Sequence, residues 1–207
     1  LSLIGESGIG KSLFCEYFQR KVLLEWSNQD SYESAWLPVI IQLPSLTQPL
    51  TSAMSETLSR NLLLDDDEIK LLQQEAGKGE LPHLLFIFDG FDDIHPRYTT
   101  SASDTELGEN FYQSTKLESK WKDARAIITC RDTTIPEVSH RGTLFSPIDP
   151  GSNNPISEAY LEYRIETLSD QQITSYFKKH AVHGDSNEST SPEQEKASSR
   201  PTKFSSW

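Results

Sequence analysis

One octet constrains the fold of this chain more than any other feature. Gly5-Glu6-Ser7-Gly8-Ile9-Gly10-Lys11-Ser12 follows the apolar run Leu1 to Ile4. It opens a segment, Lys11 to Trp26, in which Phe14, Tyr17, Phe18 and Val22 recur at helical spacing. The octet matches G-x-x-x-x-G-K-[ST] in the context that pattern requires, after a strand and at the start of a helix. Its glycines let consecutive backbone N–H groups turn inward as a nest for an anion, and the helix macrodipole adds partial positive charge there.

The rest of the chain alternates strand and helix. Trp36 to Leu43, bounded by prolines, reads as a buried strand. Met54, Leu58 and Leu62 recur every four residues, and Ile69, Leu72 and Ala76 form a second apolar face, with Asp65 and Glu68 at capping-box spacing before it and Gly77 and Gly79 as stops. Leu84 to Phe88 is an unbroken apolar run ending at Asp89, the pattern of a strand buried on both faces. Pro96 to Glu109 is polar and turn-rich and reads as a surface excursion; Phe111 to Trp121 is read as helix and Ala126 to Thr129 as a short buried strand. From Leu161 to Glu166 apolar and polar residues alternate, as at a sheet edge, and Ser169 caps a helix reaching about His180. Beyond Gly184 the chain is rich in Ser, Glu, Thr and Pro, and is expected to be disordered. No repeat of 20 to 50 residues is present. The predicted fold is α/β: a mostly parallel five-stranded sheet with helices on both faces, in three layers.

In such sheets ligands bind beyond the carboxyl ends of the strands, where the polar residues of interest cluster. Gly5, Glu6, Ser7, Gly8, Ile9, Gly10, Lys11, Ser12 and Leu13 form the candidate nucleotide-binding stretch. Lys11 is placed to reach β- and γ-phosphates, and the Ser12 hydroxyl to ligate Mg2+. Asp89, at the tip of a buried strand, is the second candidate for the Mg2+ shell. Asp92 and Asp93 follow, and one of them can orient or deprotonate an attacking water. Arg131, after Ile127-Ile128-Thr129-Cys130, can sense a γ-phosphate without risk of losing its proton. Cys130 reads as a small buried residue, and the five histidines show no zinc-like pairing with cysteine.

Charge and cysteine count exclude other classes. Nineteen basic against 31 acidic side chains, a formal charge of −12, argue against a general nucleic-acid or anionic-membrane surface. No apolar stretch is long enough to span a bilayer. No charged n-region precedes an apolar one, so no secretory signal is visible, although residue 1, Leu in place of an initiator Met, reads as an excision point that could hide one. Cys15 and Cys130 cannot build a disulfide framework, which suits a reducing, cytoplasmic setting.

Four segments in order, GESGIGKS at 5–12, LPVIIQLPSL at 37–46, LLFIFDGFDDI at 84–94 and ARAIITCRD at 124–132, resemble the NACHT domain, a STAND-class P-loop NTPase module of signalling proteins. The third is the most diagnostic: Asp89, Gly90, Asp92 and Asp93 lie where NACHT Walker B strands carry hhhhDGhDE, with Asp93 in place of the usual Glu. The resemblance covers residues 1 to about 183. It implies a three-layer P-loop NTPase fold over 1–168, the start of a helical lid over 169–183 and a tail over 184–207. It further implies ATP and Mg2+ as ligands, slow hydrolysis to ADP, and self-association governed by nucleotide state. A complete STAND protein continues into helical and winged-helix domains, so the resemblance implies a segment of a longer protein with an effector upstream and repeats downstream. Three other readings stand beside it: a nucleotide-binding scaffold without turnover, a small-molecule kinase, for which no lid or acceptor pocket is visible, and a GTP-preferring protein, for which no Asn-Lys-x-Asp base-reading motif is present.

Overall fold

A computed structural model describes residues 1–26, 36–76, 78, 82–99, 110–121, 123–135, 138–149 and 151–184. The chain divides into two units, Leu1–Glu166 and Thr167–Trp207. The first unit carries β1 (Ser2–Ile4), α1 (Lys11–Trp26), β2 (Trp36–Gln42), α2 (Ala53–Leu62), α3 (Asp66–Glu75), β3 (His83–Asp89), α4 (Phe91–Thr99), α5 (Phe111–Thr115), α6 (Leu117–Lys120), β4 (Arg125–Cys130), α7 (Val138–Phe145) and β5 (Glu162–Arg164). In the second, among the described residues, α8 spans Asp170–Gly184, and its first turn is closed by Ser169 and Gln172, whose Oε1 accepts from the Ser169 N–H at 2.8 Å.

The five strands form one sheet in the order β2-β3-β4-β1-β5, every pairing parallel. Strand periodicity sorts the side chains of β3 onto two faces. Leu85 and Ile87 join Leu3, Ile127 and Cys15 under α1. Leu84, Phe86 and Phe88 join Ile4, Val39, Ile41, Ile128 and residues of α2 to α7 on the other side. That second face is aromatic: Phe88 meets Phe111, and Phe91 meets Phe145, edge to face at 4.9 Å between centroids. Helices thus cover both faces, and the unbroken apolar run of β3 is explained by burial on each. Among the described residues no helix is long and apolar enough to cross a membrane.

Local signals set several boundaries. Asp65 Oδ1 accepts from the Asp67 and Glu68 N–H groups and Glu68 Oε2 accepts from the Asp65 N–H, so the capping box read from the sequence starts α3. The stops expected at Gly77 and Gly79 lie outside the described residues, as do residues 100–109 of the expected excursion and 185–207 of the expected tail. Residues 96–99 of that excursion instead continue α4. The single helix expected over 111–121 breaks at Lys116, which takes φ +57°. On α1 the sheet selects a narrower stripe than the apolar residues suggest. Cys15 is buried and Phe18 half-buried, while Phe14 and Tyr17 are 41% and 66% exposed, Phe14 resting flat on Phe18 at 5.9 Å. In α2, Met54 and Leu58 are buried but Leu62, in the last turn, is not.

Helix α7 holds a buried cation that periodicity does not reveal. The Arg141 Nε and Nη2 donate to the two carboxylate oxygens of Glu162 at 2.8 and 2.9 Å, and Nη1 donates to the Ile135 carbonyl. The Tyr160 hydroxyl also donates to Glu162 Oε2 at 2.8 Å and accepts from Ser2 Oγ at 2.6 Å. One network therefore ties α7 to the edge strand β5 and to β1.

Candidate functional site

Sheet register brings the candidate residues to one end of the strands. Gln42 pairs with Asp89, Phe88 with Ile128, and Leu3 with Thr129. The tips of β2, β3, β4 and β1 therefore end level, and Asp89 and Thr129, one step beyond the Phe88 pair, emerge on the α1 face. The loop leaving β1 turns through Gly8 at φ +74° and Gly10 at φ +102° before α1 begins. Phe14 N–H donates to Gly10 O at 2.9 Å. The first-turn amides of α1 lie ahead of that bond, where no intrahelical carbonyl can reach them.

A cavity of about 230 Å³ opens at this point. The loop and α1 contribute Ser7, Gly8, Gly10, Lys11, Ser12 and Leu13; the end of β3 and the start of α4 contribute Asp89, Gly90, Asp92 and Asp93; the end of β4 contributes Thr129 and Arg131. Of the residues singled out in the sequence, Gly5, Glu6 and Ile9 do not line it. Gly5 and Glu6 instead offer their carbonyls to Lys11 Nζ, at 2.8 and 2.9 Å, and the Ile9 N–H donates to Glu6 O at 3.4 Å.

The acidic wall is internally ordered. Arg131 Nε stands 2.7 Å from Asp92 Oδ2, and its Nη2 3.3 Å from Asp93 Oδ1. The Asp92 side chain is only 6% exposed and that of Asp93 51%. Burial, and then the Asp93 charge, raise the Asp92 pKa above the ordinary carboxylate value, with Arg131 and Lys11 pulling the other way. Cys15 and Cys130 are buried free thiols whose pKa values burial pushes up to about 12, so neither is a thiolate near neutrality.

Thr129 was not singled out in the sequence. Its hydroxyl accepts from the Gly90 N–H at 2.9 Å and donates to Asp89 Oδ1 at 2.7 Å. In an apolar run a threonine reads simply as a β-branched strand former; its place opposite the Asp89 tip was the available signal. Gly90 itself takes φ +86°, and a Cβ there would come within 3.0 Å of Pro44 Cδ and Cγ. Replacing Gly90 by Ala is expected to cost about 1–3 kcal/mol from the left-handed backbone. Thermal unfolding should show a Tm fall of roughly 3–8 °C; an unchanged Tm would contradict the strained turn.

Among the described residues no three His, Cys, Asp or Glu side chains are arranged to hold a metal ion, so the donors do not suit a structural zinc site. A hard cation such as Mg2+ needs only one or two protein oxygens, because it keeps several waters and shares phosphate oxygens. The Ser12 hydroxyl and one Asp89 oxygen, on the same cavity, fit that demand.

A larger hollow of about 770 Å³ opens beside Leu1, Phe18, Val22, Trp36 and Leu161, around the starts of β2 and β4. Its charged side chains are Arg125, which lies over the Trp36 ring at 4.7 Å, and Glu25 of α1; among the described residues no glycine turn and no carboxylate at a strand's C-terminal tip lines it. Size favours that hollow, whereas convergent polar chemistry favours the smaller cavity. No protein-family model matches this chain, and no curated protein matches it.

Proposed function

We propose that Leu1–Glu166 is the Mg-ATP-binding core of a NACHT-like, STAND-class switch that hydrolyses ATP slowly and self-associates according to its nucleotide state. The observation carrying this reading is the convergence on one cavity of the loop after β1, the acidic end of β3 and the cation at the end of β4. The loop amides and Lys11 bind the triphosphate, and Lys11 is available because backbone carbonyls, its present partners, compete weakly with phosphate oxygens. Ser12 and Asp89 hold Mg2+, which when bound supplies charge neutralisation to the transferring phosphoryl group. Asp92 keeps the Arg131 guanidinium at the cavity rim, where it meets the γ-phosphate end. Asp93, the more exposed acid, orients the attacking water. The position of these residues in a longer chain, with an effector before them and repeats after, and a cytoplasmic setting for the two free thiols, belong to the same proposal.

A second reading, a nucleotide-binding scaffold without turnover, is favoured by one observation: Asp93 spends an oxygen on Arg131 at 3.3 Å and is one methylene shorter than the Glu usual in NACHT domains. Phosphate release separates the two. Binding itself is tested by titrating ATP with Mg2+ and with EDTA. Asp89→Asn is expected to cut the Mg2+-dependent gain in affinity by roughly tenfold, the cost of one charged contact, while leaving metal-free binding unchanged. Equal gains in the two proteins would contradict the metal assignment, and competition between ATP and GTP decides the base preference.

A further inference from the structure

We infer that Thr129 is a positioning residue that fixes which oxygen of Asp89 is offered to the divalent cation. The inference rests on the Mg-ATP reading of the cavity and extends it to a residue not otherwise assigned. Thr129 is fully buried on β4, and sheet register sets it beside Asp89. Its hydroxyl has one proton to give. The Gly90 N–H already donates to Thr129 Oγ1 at 2.9 Å, so that proton goes to Asp89 Oδ1 at 2.7 Å. That bond takes one of the two lone pairs of Oδ1 and fixes the rotation of the carboxylate, so Oδ2 is the oxygen presented to the metal. A threonine does this better than a serine, because its β-branch restricts χ1 and the hydroxyl direction with it. The same hydroxyl secures the Gly90 amide, coupling the carboxylate to the turn that starts α4. A hard cation bound by so few protein oxygens depends on each being held in place.

The test compares wild type, Thr129→Val and Thr129→Ser, with ATP affinity measured in EDTA and in Mg2+; the ratio of the two is the readout. The Val variant is expected to lose about tenfold of the Mg2+-dependent gain with EDTA affinity unchanged, and the Ser variant to stay within about threefold of wild type. In an Asp89→Asn background the Val change is expected to have no further effect on the ratio, since both act through one contact. Should the Val variant not unfold cooperatively, Thr129→Cys, a weak donor of similar size, replaces it with the same expectation. A Val ratio equal to wild type, or equal losses in EDTA and Mg2+, overturns the inference. If wild type binds Mg-ATP and Asp89→Asn loses the gain while Thr129→Val keeps it, only the role of Thr129 falls. If wild type binds no ATP, the reading of the cavity falls and the inference with it.

Discussion

Lys11→Ala is expected to weaken ATP binding by roughly 100-fold or more, since two charge-assisted hydrogen bonds contribute about 1.5–3 kcal/mol each. The fold should survive. Among the described residues Lys11 Nζ donates to the Gly5 and Glu6 carbonyls, at the mouth of the cavity, where water can replace it. Calorimetric titration with Mg-ATP, together with thermal unfolding of each protein, checks both halves. Comparable isotherms for two folded proteins would remove the lysine from the site. A collapsed melting transition would instead make Lys11 a strut of the loop after β1.

Arg141→Ala should have the largest effect on stability, about 3–5 kcal/mol, because it leaves a carboxylate without its partner in a mostly buried place. The Arg141 side chain is 2% exposed and that of Glu162 20%. The variant also removes the Arg141 bond to the Ile135 carbonyl and loosens β5, whose continuation bonds Ile165 N–H to Ile4 O at 2.8 Å at the root of the loop after β1. Thermal unfolding should show a Tm fall of roughly 10–15 °C. The pH dependence has a definite sign. Arg141 is the leading cause holding the Glu162 carboxyl below its ordinary value of 4.5. The pair's contribution is therefore complete above that value and is lost as pH falls through the lower folded-state value. The gap in Tm between wild type and variant should accordingly narrow below about pH 4.5 and stay constant above it. A gap that widens on acidification would contradict the pairing.

Much of the candidate site's placement could be read from the sequence because its parts are local: an octet between strand and helix, an acid after five apolar residues, an arginine after a second apolar run, all of which contribute to one cavity. A mostly parallel five-stranded sheet followed from the same alternation; every pairing proves parallel, with β5 at the edge where alternating polarity put it. Arg141 and Glu162 escaped, since a charge pair between residues 21 apart leaves no periodic trace, and α7 went unread with them. Phe14 and Tyr17 carried an apolar signal that the sheet does not use: it meets α1 along Cys15 and Phe18, and what helix spacing groups together the curved surface beneath divides. Thr129 was hidden for the opposite reason. Its residue type suited the strand so well that nothing marked the hydroxyl, and only register placed it against Asp89.

Whether the loop between Ile4 and Lys11 grips a triphosphate is tested most directly by a crystal structure grown with Mg2+ and a non-hydrolysable ATP analogue. The expected result has the β- and γ-phosphates on the amides of the Gly8 to Ser12 turn, Lys11 Nζ moved from the Gly5 and Glu6 carbonyls onto phosphate oxygens, and the metal between Ser12 and Asp89. An analogue seated elsewhere, with Lys11 still bonded to those carbonyls, would contradict it.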